Sequence, residues 1–199
     1  MTQRGRTREI VGWAIALAPL VFVVEPMRHM IESRMSAHML LQFPMLVASG
    51  WTTAEVQTIE RSLWWKRFDP INAHGLLAIT LGSCVLALWM IPTALDFSLL
   101  SDPVRWSKYA SFWVAGLLLN RSRRHVGEEL GMFFAGSLVW MLATVGLIYQ
   151  SMPQRLCVSY RLDEQYWTGI GLVGIACAVV AAWLCRIAVG HLGRARSRP

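Results

Sequence analysis

Charge is scarce in this sequence. Asp, Glu, Lys and Arg together make up 16% of its 199 residues, against about 25% in a typical soluble domain. That scarcity excludes an ordinary solvated globular surface. Several motifs are missing as well. There is no Gly/Ser linker, no low-complexity tract and no internal repeat, so a single domain is expected. No nucleophile–base arrangement and no phosphate loop occurs, so no enzymatic activity is expected. Cysteine is sparse, four in all.

Apolar side chains fill the space that charge leaves. Hydrophobic residues make up 55% of the chain, ten residues are Trp, and the mean hydropathy is +0.42. The expected fold class is all-α: a polytopic membrane helical bundle of about six transmembrane helices. The apolar runs lie at approximately 10–24, 35–51, 71–91, 104–119, 129–149 and 166–189. Several are shorter than the ~20 residues that a straight span needs, so flanking amphipathic residues must complete them. The first follows Arg4, Arg6 and Arg8 and is read as a retained signal-anchor helix, because no cleavage site closes it.

The basic residues sort by loop. Arg4, Arg6 and Arg8, then Arg61, Lys66 and Arg67, then Arg121, Arg123 and Arg124, and finally Arg186, Arg194, Arg196 and Arg198 all fall on one side of six alternating spans. Arg28, Arg34, Arg155 and Arg161 fall on the other. The positive-inside rule then places both termini in the cytoplasm. It also explains the net charge of +7 by topology, so no nucleic-acid partner is expected. Short loops favour a bacterial inner membrane. On the inner side, Thr52 and Glu55 form a capping-box pattern. Val56, Ile59, Leu63 and Trp64 follow at helical spacing, predicting a short cytoplasmic interfacial helix over about 53–67 that lies on the lipid bilayer.

The junction between the first two runs carries the candidate chemistry. Met27, His29, Met30, Met35, His38 and Met39 fall within thirteen residues on the outer side. Thioether and imidazole ligands suit Cu(I) better than they suit magnesium or calcium. The alternative is that Met fills packing gaps and His hydrogen-bonds at the interface. His38 and Gln42 share a helix face. Cys157, in the outer loop Gln150–Gln165, lacks a disulfide partner on that face. It is either an extra copper ligand or a buried thiol.

The run His38-Met-Leu-Leu-Gln-Phe-Pro-Met-Leu-Val-Ala-Ser-Gly50 resembles a segment of the CtaG-type family, assembly factors of caa3-type cytochrome c oxidase. The likeness lies in a histidine, a Met/Leu-rich stretch, a mid-helix proline and a glycine exit. It implies a multi-span bacterial protein linked to copper supply for a haem-copper oxidase. Its partners would be a periplasmic copper donor and an oxidase subunit.

Rival readings are a haem b-binding redox subunit and a cofactor-free membrane scaffold. Haem b needs two histidines at similar depth on facing helices, and no such pair is apparent. Coupled transport calls for ionisable groups within spans, and here Arg105 and Lys108 lie near an end. Gly169–Gly174 fits G-x-G-x-x-G but lies in an apolar run with no preceding strand, so it is not read as a dinucleotide site. Gly127 and Gly131 fit G-x-x-x-G and are expected to let helices pack closely.

Overall fold

The computed structural model describes residues 13–14, 16–56, 63–72 and 74–196. Every regular element among them is helical. A 3-10 stretch, Ala18–Val23, precedes α1, Met27–Glu32. Helix α2 is composite: Met35–Ala37, a π-helical His38–Gln42, and Phe43–Ala54. Pro44 accounts for the widened middle. It has no N–H to give the preceding turn, and its ring would press on the carbonyl four residues back; a π turn relieves both. Then come α3, Leu63–Phe68; α4, Leu76–Trp89; α5, Pro92–Leu100; α6, Asp102–Ser122; α7, Glu128–Ser151; and α8, Leu162–Arg196. Gly75, at φ 72, turns the chain into α4, and the Asn72 side chain accepts from the Ala78 amide at 3.0 Å to cap it.

Two helices, α7 and the first 25 residues of α8, are long and apolar enough to cross a membrane. The pair α4 and α5, bent by 76°, makes a third if it counts as one span. That is fewer than the six expected. Helix α6 runs for 21 residues but includes Arg105, Lys108, Asn120 and Arg121. The π turn and Pro44 break α2 into short pieces. Part of the first apolar run lies outside the described residues; residues 13–14 and 16–17 are helical, and the 3-10 stretch follows them. The expected outer loop from Pro92 is itself helical, as α5.

Small residues set the helix crossings. A Cβ on Gly50 would overlap the Trp113 carbonyl, and one on Gly116 would overlap that of Val47, so α2 and α6 meet backbone to backbone. A Cβ on Gly146 would lie 2.7 Å from the Gly169 carbonyl, which joins α7 to α8 in the same way. Gly169 is thus a packing residue. Gly127 and Gly131 are not: nothing lies within 4 Å of a Cβ on Gly127, and only a Val126 methyl, at 3.9 Å, approaches one on Gly131.

The predicted interfacial helix over 53–67 takes another form. Thr52 sits in the last turn of α2 and donates to the Ala48 and Ser49 carbonyls at 2.9 and 3.1 Å, so no capping box forms. Residues 57–62 lie outside the described residues. Trp65 on α3 is buried beside Ala78 and Leu118, under the Arg121 guanidinium. Arg121 pairs with Asp69, and Arg123 and Asn120 reach Glu55 at 3.0 and 3.2 Å. The loops that the charge pattern assigns to one side therefore meet at one end.

Candidate functional site

At the opposite end, α1, the start of α2, α5 and the loop 152–161 converge. The Asp96 carboxylate accepts from the Val158 and Ser159 amides at 2.9 and 3.2 Å. Gln165, buried, accepts from the Leu156 amide at 2.8 Å and donates to the Tyr149 carbonyl at 3.2 Å. Ser36 reaches Glu164 at 3.4 Å. The Met27–Met39 junction and the Gln150–Gln165 loop are therefore in contact.

His38 stands at the centre of this contact and is fully buried. Its Nε2 is 2.7 Å from Lys108 Nζ, and its Nδ1 is 2.6 Å from the Tyr160 hydroxyl. The Lys108 ammonium has no lone pair, so Nε2 must accept and Nδ1 must carry the proton. His38 therefore donates to Tyr160, and Tyr160 donates to the Glu32 carbonyl at 3.0 Å. Lys108 also donates to Glu32 Oε1 at 3.0 Å, as does the Tyr109 hydroxyl. The hydrogen bonds run in a closed circuit from Lys108 through His38 and Tyr160 to Glu32 and back. Arg105 Nε lies 4.0 Å from Glu32 Oε2, and Arg105 also pairs with Asp102. Glu32 and Asp102 thus balance Lys108 and Arg105. A buried ammonium is tolerated only with such partners.

Of this set the sequence marks His38 as a candidate ligand, with Glu32 near it as a harder one, and places Tyr160 in the outer loop without a role. It gives Lys108 and Tyr109 no role; Lys108, near the start of α6, is 0% exposed. One signal was available. Arg105 and Lys108, three apart in an apolar run, require acids, and Glu32 lies in the junction next to His38.

The candidate copper ligands are split. Met27, His29 and Met30 on α1 are exposed. Met35 and Met39 are buried in the apolar core with Phe43, Leu95 and Phe112. Both ring nitrogens of His38 are engaged. Cys157 is 1% exposed in the same core, its thiol 3.9 Å from the Pro92 carbonyl. Burial, then the Asp96 charge, pushes that thiol up to about 12; the metal-binding form is the thiolate. Among the described residues no three His, Cys, Asp or Glu side chains gather as a metal site. The seven candidates as arranged do not fit one copper ion. For haem b, His29, His74 and His125 are exposed, which leaves His38 as the buried histidine among those whose side chains are described. Compared with protein-family models, curated proteins and solved structures, the chain matches none.

Proposed function

We propose that the protein is a multi-pass bacterial inner-membrane accessory factor that supports assembly of a respiratory haem-copper oxidase. In this reading it acts as a helical scaffold whose outer end is held by the circuit through His38, Lys108, Tyr160 and Glu32. The circuit is the observation that carries the reading. Ionisable groups inside a membrane bundle are costly and mark working parts, and this one fixes the outer loops relative to the helices. The oxidase context rests on the likeness of His38–Gly50 to the CtaG-type segment. The finer topology of six segments with both termini cytoplasmic belongs to the same proposal. It is supported by the gathering of Glu55, Asp69, Arg121 and Arg123 at one end and of the Met/His junction and Cys157 at the other.

A second reading is copper handling at the periplasmic face. One observation favours it: Met27 and Met30, three apart on α1, are both exposed and share a helix face, with His29 beside them. Here the exposed thioethers act, and His38 stays in its hydrogen bonds.

Deletion of the gene in its host tests the first reading. Haem-copper oxidase activity should fall, and wild-type protein should restore it, while Tyr160→Phe restores it poorly. Unchanged oxidase activity in the deletion strain overturns the scaffold role. Metal content of the purified protein separates the readings. Copper near one per chain, lost in a Met27→Ala/Met30→Ala variant and kept in His38→Ala, favours the copper reading. A Soret band would replace both with the haem b alternative.

A further inference from the structure

A groove of about 400 Å³ runs between α4, α6 and the first half of α7. Ile79, Leu86, Leu119, Phe134 and Leu138 give it an apolar lining, and Arg123 and Glu128 both border it. Its α7 wall carries Gly127 and Gly131. Side chains are absent there, and no neighbouring helix closes in. The G-x-x-x-G pair, expected to bring helices together, instead leaves a channel one helical turn long open beside α7.

The two charged residues have different histories. Arg123 is held in place: its guanidinium lies over the Trp51 ring at 5.2 Å and gives one bond, at 3.0 Å, to Glu55. A guanidinium has five N–H donors, so others are available for a phosphate oxygen. Glu128 opens the first turn of α7, is exposed, and makes no ion pair among the described residues. One cationic donor and one carboxylate therefore border the same apolar groove. Arg121 and Arg123 already meet carboxylates of their own, Asp69 and Glu55, which argues against a purely anionic headgroup. Basic crevices between membrane helices do recruit lipid headgroups. Here the opposite signs call for a headgroup that carries both.

We propose that this groove binds one acyl chain of a zwitterionic aminophospholipid, with the headgroup phosphate on Arg123 and its primary ammonium on Glu128. The site is independent of the oxidase role proposed above. Phosphatidylethanolamine has the required chemistry. Phosphatidylcholine lacks N–H donors for Glu128, and phosphatidylglycerol lacks the cation.

The test is native mass spectrometry of the full-length protein in detergent, with equimolar phosphatidylethanolamine, phosphatidylglycerol and phosphatidylcholine of identical acyl chains. The wild type should retain one phosphatidylethanolamine per chain, at least tenfold over the other two. Gly131→Phe fills the groove from open space and should lower retention tenfold or more at unchanged thermal stability. Glu128→Gln leaves the groove intact and should abolish the preference over phosphatidylcholine; it keeps the test decisive even where Gly131→Phe fails to fold. Equal retention of all three lipids, a preference for phosphatidylglycerol, or a preference untouched by Glu128→Gln overturns the proposal.

Discussion

Nζ of Lys108 lies 2.7 Å from Nε2 of His38, and both side chains are fully buried. An ammonium against an imidazole is stable only while the imidazole stays neutral and a carboxylate stands near. Glu32, at 3.0 Å from the same Nζ, is that carboxylate.

Breaking the pair from one side should therefore cost more than removing it whole. Lys108→Met or Glu32→Gln alone leaves an uncompensated buried charge and should destabilise by about 3–5 kcal/mol. The double variant should lose clearly less than the sum of the two. Unfolding in mixed detergent, followed by far-UV circular dichroism, measures all three. Additive losses would show that the two charges are not coupled.

Tyr160→Phe removes the one hydroxyl that joins His38 to the Glu32 carbonyl. It leaves the His38 N–H and that carbonyl unsatisfied, at a cost of about 1–3 kcal/mol. The loop should loosen first. Limited proteolysis within Gln150–Gln165 should become faster than in the wild type, while α7 and α8 stay protected. An unchanged cleavage rate would remove Tyr160 from the role assigned to it.

The helix crossings and the open groove make opposite demands on glycine. Gly50→Val must drive its side chain into the Trp113 carbonyl, so folding should fail or stability fall by more than about 3 kcal/mol. Gly127→Ala meets open space and should change stability by no more than about 0.5 kcal/mol. Thermal stability of the two purified variants decides the comparison, and equal losses would refute the assigned crossing.

Cys157 should resist alkylation. Its thiol is buried, and the folded protein holds it protonated to about 12, above the ordinary thiol value near 8.5. This preference stabilises the fold fully below about pH 8.5 and is lost as the pH rises toward 12. At pH 8, iodoacetamide should modify Cys157 in denatured protein and spare it in native protein, as peptide mass spectrometry would record. Rapid native labelling would place the thiol at the surface.

Much of this architecture could be read from local pattern. Two of the apolar runs became helices close to their expected bounds: the run at 129–149 is Glu128–Ser151, and that at 104–119 lies within Asp102–Ser122. His38 was expected as a copper ligand, and the structure places it in hydrogen bonds to Lys108 and Tyr160. The partners themselves were not legible. Glu32 and Lys108 are 76 residues apart, and no periodicity links them. The six-span count followed from the apolar runs and from the alternation of basic residues between loops, and neither registers the π turn at His38–Gln42 or the 76° bend between α4 and α5. Gly127 and Gly131 misled for a similar reason. Spacing records that two glycines share a face and says nothing of what lies opposite.

The closed circuit also imposes an order on the making of the protein. His38 and Lys108 emerge from the ribosome before Tyr160, which is 122 residues beyond His38. Until the hairpin of α7 and α8 has been inserted, the His38 N–H and the Glu32 carbonyl lack the hydroxyl that joins them. The last contact made is thus the one that seals the first segments laid down. A chain truncated or stalled before the hairpin carries an unsealed polar pocket, the kind of defect by which quality control in a membrane can tell an unfinished protein from a finished one.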